Sequence, residues 1–295
     1  DAVGHKTWAI FQEIEKQGDM AKALAAGWPQ AQVADTAAKR AANIAKRKDI
    51  FVGSNMYPNL KETRLEPTPV DAKAVQAERA AALKQFRAAA KANKPAALEQ
   101  VAKGGKLVDA AIQAALAGAT LGEIAQAARA NAKPGPTVNA VCAYRGAQGF
   151  EALRQATEAY VARAGQTPKV FLATMGPLTQ HKGRADFATA FLGVGGFETI
   201  YPSGFNAADE AADAALASGA KAVVICSTDA TYPELVPPLA QKLKQARPDL
   251  IVMVAGHPTE HLEAFKAAGV DDFIHVNANC QSLLSTLQKK MGVAQ

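Results

Sequence analysis

Histidine is the side chain best suited to change charge or ligate a metal near neutral pH, and one of the five in this chain stands in a suggestive place. His181 lies in Leu178-Thr179-Gln180-His181-Lys182-Gly183, directly after the apolar run Val170-Phe171-Leu172-Ala173 and the break Met175-Gly176-Pro177. The run is too short for a buried helix and rich in β-formers, as a parallel core strand would be. Beyond the polar stretch, which reads as a loop, Phe187, Phe191, Leu192 and Val194 recur at helical spacing up to Gly195-Gly196. Open α/β sheets bind ligands at loops that follow the carboxyl ends of strands. Candidates for chemistry are therefore Thr179 and His181 after the first strand, Ser227, Thr228 and Asp229 after the third, and Gly256 and His257 after the fourth. A histidine so placed serves as a metal ligand, as a general base or simply as a polar surface residue. His257 and His261 flank a helix start, and two histidines four residues apart without a third donor are a poor zinc signature.

Other chemistries are excluded by what is missing. No phosphate-binding Gly-x-x-x-x-Gly-Lys-Ser/Thr occurs, Gly193 to Gly196 ends a helix where a dinucleotide fingerprint begins one, and there is no nucleophile elbow. Cys142, Cys226 and Cys280 lack metal-ligand spacing, and an odd number argues against a disulfide framework, which suits a reducing cytoplasm. Cys226 closes an apolar strand and reads as a core residue. The net charge of +6 comes from lysines and arginines scattered through Ala-rich helical stretches, with few aromatics to stack bases, so no nucleic-acid partner is expected. No apolar run approaches the roughly 18 residues needed to cross a bilayer, so no membrane partner is expected either. The first residues lack both an initiator Met and a signal-like pattern and read as a cut or processed end.

Two kinds of architecture must position the candidates. Residues 1 to 48 predict helices, with Trp8, Phe11 and Ile14 on one that stops near Gly18, and Val33, Ala37, Ala41 and Ile44 on another that starts at Pro29 and ends at Lys46-Arg47-Lys48. Asp49 to Asn55 reads as a short strand entering a turn, and Leu65 to Val70, with Pro67 and Pro69, as an extended connector that wraps over a neighbouring surface. Further helices are expected at 75–94, 95–101, 107–116, after a Thr120–Glu123 capping box, and at 150–164, with a linker at 131–138 that contains Pro134, Gly135 and Pro136. From Lys169 the pattern alternates: strands at 169–174, 198–201, 221–227, 250–255 and 272–276, and helices at 184–194, 206–218, 233–246, 260–268 and 279–291. This predicts an α/β fold with a flavodoxin-like, doubly wound, five-stranded parallel sheet at 166–295, preceded by a mainly helical linker and interaction domain at 1–165.

Three segments carry a family resemblance: Thr7 to Glu15 followed by Gly18, Phe51 to Tyr57, and Ala119 to Ile124. They resemble the segments that adenosylcobalamin-dependent acyl-CoA mutases of the methylmalonyl-CoA mutase family carry after their substrate-binding barrel, and the likeness extends over almost the whole chain. In that family an Asp-x-His-x-x-Gly loop supplies the lower axial ligand of cobalt, and a later Ser-x-Leu and a Gly-Gly complete the cobalamin site. Aligned on His181, this chain has Thr179 for the Asp, Arg184 for the Gly, Ser227-Thr228-Asp229 for Ser-x-Leu and Ala255-Gly256 for Gly-Gly. Thr179 cannot supply the carboxylate that orients a metal-bound imidazole, Arg184 fills space that a glycine leaves open, and Asp229 brings a charge where an apolar side chain belongs. Gly149 to Arg154, with Leu178, His181 and Arg184, is similar to the small subunit of heterodimeric bacterial mutases. The resemblance thus implies the C-terminal part of a non-catalytic small subunit, cytoplasmic, packed against a large catalytic subunit that isomerises methylmalonyl-CoA and succinyl-CoA. Adenosylcobalamin would be present in the complex and not held by this chain. The alternative implication is a cobalamin-binding module with His181 on cobalt and Thr179, Ser227 and Gly256 around the cofactor. A third reading, an interaction module with a ligand such as a nucleotide in the same slot, follows from fold alone.

Overall fold

The structure is a computed structural model, which describes residues 1–62, 65, 68–135 and 137–294. Pro67 of the expected connector and Pro136 of the expected linker lie outside the described residues. By packing, the chain forms two compact units, Asp1–Glu62 with Asn139–Gln295, and Thr63–Val138.

The larger unit is built on a five-stranded parallel sheet of β1 (Lys169–Thr174), β2 (Glu198–Ile200), β3 (Ala222–Cys226), β4 (Ile251–Ala255) and β5 (Asp272–Ile274). Its order, β2-β1-β3-β4-β5, is the flavodoxin-like order expected from the alternation. The strands are nearly continuous apolar runs because helices cover both faces. Side chains alternate between two cores. Val170, Leu172, Val224, Cys226, Met253, Ala255 and Ile274 face α9 (Leu178–Gly193) and α13 (Cys280–Lys290), whereas Phe171, Ala173, Val223, Ile225, Val252, Val254 and Phe273 face α10 (Ala208–Ala217), α11 (Tyr232–Ala246) and α12 (Leu262–Ala267). Each large apolar side chain buried in these layers contributes about 1.5–3 kcal/mol before entropy is counted.

The helices before the sheet do not all stand apart from it. Besides α1 (Ala2–Lys16) and α2 (Met20–Ala26), the unit contains α3 (Trp28–Ala45) and α8 (Gln148–Ala164). Ile44 from α3 and Phe150 and Leu153 from α8 are buried in the same core as β1 and α9. Gln288 of α13 donates to the Leu153 carbonyl at 2.7 Å and to the Thr157 hydroxyl at 2.9 Å, which ties α8 down. The change of element type falls near 165, as the sequence predicts, but packing groups the elements on either side of it together.

Two expectations are corrected. Asp49 to Asn55 forms a turn in place of a strand, with only an isolated bridge between Val52 and Met56. The cause is the buried Asn55 side chain, which donates to the carbonyls of Ile44 and Asp49 and accepts from the Phe51 N–H at 2.7 Å, so that it takes the backbone partners a strand would need. The second correction concerns Leu178 to Gly183, which is not a loop: α9 begins at Leu178, six residues before the helix start expected at 184.

The smaller unit is helical: α4 (Ala72–Ala88), α5 (Lys94–Lys103), α6 (Leu107–Leu116) and α7 (Leu121–Ala128), with Val101, Ala114 and Ala119 at its core. The capping box is present. Thr120 Oγ1 accepts from the Glu123 N–H at 3.3 Å and the Glu123 carboxylate accepts from the Thr120 N–H at 2.7 Å. Glu123 also pairs with Lys94 at 2.8 Å.

Candidate functional site

Strand order reverses between β1 and β3, and the crevice outside their carboxyl ends is where the fold concentrates ligand-binding positions. A cleft of about 850 Å³ opens there, lined among others by Thr179, Arg184, Phe187, Ser227, Asp229, His257 and His275. The structure therefore gathers Thr179, Ser227, Thr228, Asp229 and His257 as their strand-end positions predict.

His181 is the exception, and helix geometry explains why. Pro177 stands at the N-cap of α9 in extended conformation, and its carbonyl accepts from the Gln180 N–H at 2.9 Å, so the polar stretch winds into the first turn. Gly183 inside the helix costs about 1 kcal/mol relative to Ala, which tertiary packing outweighs. Within a helix, residues two apart face different ways. Thr179 is exposed toward the cleft, while His181 is fully buried as the first member of the inward stripe His181, Ala185, Ala188, Leu192. The imidazole Nδ1–H donates to the Gly176 carbonyl at 3.0 Å. Nε2 is buried and finds no hydrogen-bond partner among the described residues. The ring lies against Gly204, whose positive φ of 129° brings the β2–α10 loop close.

The floor of the cleft is held by Tyr232, a residue that sequence reasoning did not single out. Its ring is fully buried at the start of α11. The phenol oxygen accepts from the Ser227 N–H at 3.1 Å and donates to the Ala255 carbonyl at 2.6 Å, so it joins the ends of β3 and β4. Burial pushes the phenol above its ordinary pKa. The Ser227 hydroxyl is occupied too: it lies 3.2 Å from the Met175 carbonyl and 2.8 Å from the Thr231 hydroxyl. Gly256 is roofed closely, since a Cβ there would lie 3.1 Å from the Tyr232 ring, 3.2 Å from the Asp229 carboxylate and 3.5 Å from the Arg184 guanidinium.

Arg184 and Asp229 meet across the cleft at 2.8 Å, one from α9 and one from the β3–α11 loop. Their side chains are 36% and 59% exposed, so the pair spans the mouth as a solvated contact worth at most about 1 kcal/mol. Phe187, also on α9, is stacked beneath the Arg47 guanidinium, which lies 5.5 Å from its centroid and 5.4 Å from that of Phe191. Near the base of this wall burial raises the Cys280 thiol to about 12, and burial likewise raises the Cys226 thiol, in keeping with core roles for both. Beside the cleft, Asp186 accepts from Lys182 at 2.5 Å and from the Tyr201 hydroxyl at 3.1 Å, and Lys182 first among these holds its carboxyl below the ordinary range.

His257 and His261 do not come together: His261 stacks on Phe265, whereas His257 faces His275 with ring centroids 4.3 Å apart. The sequence reading placed His275 inside the last strand run, 272–276; β5 ends at Ile274, which leaves His275 at the same carboxyl edge as the other candidates. Among the described residues no group of three or more His, Cys, Asp or Glu side chains is arranged to hold a metal ion, and no helix is long and apolar enough to cross a membrane.

Comparison with known proteins places these features in context. Residues 1–134 match the family described as Methylmalonyl-CoA mutase. The chain is 31% identical to a methylmalonyl-CoA mutase of Cereibacter sphaeroides over 95% of this chain and 41% of the relative. It is 27% identical to the methylmalonyl-CoA mutase small subunit of Porphyromonas gingivalis over 99% of this chain and 37% of the relative. The large subunit from the same organism is also 27% identical, over 90% of this chain and 39% of its own length. The chain thus spans about two fifths of the length of the curated relatives it matches.

Proposed function

We propose, from the match of residues 1–134 to the methylmalonyl-CoA mutase family and from the likeness of most of the chain to mutases and their small subunits, that the chain is the C-terminal part of a mutase small subunit, a structural partner of a large catalytic subunit. In this reading it acts in a cytoplasmic heterodimer, as an interaction domain at 1–165 followed by a degenerate cobalamin-type domain at 166–295. The partner carries the isomerisation of methylmalonyl-CoA and succinyl-CoA, and the adenosylcobalamin on which the family's chemistry depends is held elsewhere than in this chain.

The observation that carries the proposal is the inward turn of His181. As folded, the residues of the cleft do not fit a cobalamin. The one imidazole aligned with the cobalt ligand lies under α9 and outside the cleft lining. Thr179 is two residues away on the helix and faces elsewhere, with no carboxylate to orient the ring. The space over Gly256 is taken by Tyr232 and by the Arg184–Asp229 pair. What these residues do is structural: they fill and fasten the carboxyl end of the sheet, which leaves the fold intact without a ligand. Relatives named small subunit and large subunit support the partnership.

The test is a titration of the full chain with hydroxocobalamin and with adenosylcobalamin, followed by visible absorption, together with co-purification with a co-expressed mutase large subunit. The expected outcome is no spectral change with the chain alone and a stable complex with the large subunit. A spectral change that disappears in His181→Ala overturns the proposal. One observation favours that second reading, with His181 as cobalt ligand: Nδ1–H is engaged and Nε2 is the nitrogen left without a partner among the described residues, which is the arrangement a ligating imidazole needs. It requires the first turn of α9 to unwind and the Arg184–Asp229 pair to part.

A further inference from the structure

The histidine pair at the far edge of the cleft has no part in the reading above. The parallel register sets Ala255 at the end of β4 opposite Ile274 at the end of β5. His275 directly follows Ile274, and His257 comes two residues after Ala255, so the two imidazoles leave adjacent strands side by side. Their centroids are 4.3 Å apart with planes inclined by 33°, and Phe273 meets the His257 ring edge-on at 6.1 Å. Both rings line the cleft and also a second cavity of about 280 Å³ beneath it.

We propose that His257 and His275 form a one-proton pair, in which a single proton is accommodated but a second drives the rings apart and loosens the two loops that carry them. The cleft edge would then change charge by one and lose its closed form on mild acidification. Two unit charges at 4.3 Å oppose each other by roughly 0.7 pH unit even at the dielectric of water, and by more where the rings are partly buried. The remaining charged groups around the pair do not cancel this. Asp272 on β5 favours a charged His275, but it is a single carboxylate. Arg184 from α9 and Asp229 from the β3–α11 loop face the cleft and neutralise each other. Into the lower cavity α13 directs Ser282 and Thr286, and its N-cap Asn279, none of them charged. His275 is held below its ordinary value first by burial and then by His257, with Asp272 acting in the opposite sense. The sign follows: a histidine with a lowered folded pKa binds more protons unfolded, so its arrangement loses stability as pH falls below about 6.5. A metal-binding role for the pair lacks a third donor among the described residues.

The experiment is a proton–carbon NMR titration of the histidine Cε1–H signals in the full chain, in wild type and in His257→Gln, with amide exchange across 256–261 and 275–279 measured at pH 7.5 and 5.5. The expected result is a His275 midpoint that rises by roughly 0.5–1 pH unit in His257→Gln, and loop protection, taken relative to the intrinsic exchange rate at each pH, that falls at pH 5.5 in wild type more than in the variant. An unchanged or lower midpoint overturns the proposal, because burial alone would then set it. Should His257→Gln fail to fold, wild type still decides: a coupled pair gives His275 a titration curve broader than one site, and a single-site curve without loop loosening overturns the pair.

Discussion

Replacing Tyr232 by Phe isolates the hydroxyl that joins β3 to β4 beneath the cleft. The ring volume is unchanged, so no cavity opens and the packing of the fully buried side chain is retained. Two bonds are lost, the acceptor for the Ser227 N–H at 3.1 Å and the donor to the Ala255 carbonyl at 2.6 Å. Ser227 is fully buried, so its amide loses its partner with no water to replace it. A buried donor left unsatisfied costs about 1–3 kcal/mol, and a carbonyl with two lone pairs costs less, which gives roughly 2–3 kcal/mol for the substitution. At about 2–4 °C per kcal/mol for chains of this order, the thermal midpoint of the larger unit falls by roughly 5–10 °C. Circular dichroism melting reads this change. Amide exchange of β3 and β4 identifies the unit that responds, because a chain with two compact units need not melt in one step. The matched control is Tyr57→Phe, at a ring that is 72% exposed and should leave the midpoint within about 1 °C. If Tyr232→Phe behaves like that control, the bridging hydroxyl does not hold the strand ends and the account of the cleft floor is wrong.

Two further outcomes follow from the same reasoning. Lys94 first, then the Thr120 N–H, hold the Glu123 carboxyl down from 4.5 to about 2. Its contribution to the smaller unit is therefore fully present above pH 4.5 and is lost as pH falls toward 2, and Glu123→Gln should flatten the acid dependence of amide exchange at α7. Gly204→Ala forces an L side chain to φ 129° with its Cβ 2.9 Å from the His181 ring and 3.0 Å from the Gly176 carbonyl, at a cost of about 1–3 kcal/mol. Gly219→Ala, at φ 70° with nothing within 4 Å, should cost distinctly less in the same urea titration; equal losses would show that His181 does not pack against this loop as described.

The sequence by itself determined the sheet. Apolar runs such as Val170 to Ala173 and Ala222 to Cys226 have few alternatives once polar helical segments alternate with them, and the strand order followed from short right-handed crossovers. It also determined which loops would gather at the carboxyl edge, and so assembled Thr179, Ser227, Asp229, Gly256 and His257, because direction along a parallel strand is fixed by chain order. The capping box was equally legible, being a contact between residues three apart. Tertiary structure alone decided which way His181 points. Read as a loop residue it faces the cleft; the same residue, one turn into a helix that begins after Pro177, is the first rung of a buried stripe with Ala185, Ala188 and Leu192. Only tertiary structure could bring Tyr232 under Ser227 and Ala255, Ile44 and Phe150 into the core of a sheet that starts at Lys169, and His275 against His257. Local periodicity records which residues seek burial, but the partner that buries them lies far along the chain, and that pairing is set only when the layers close on one another.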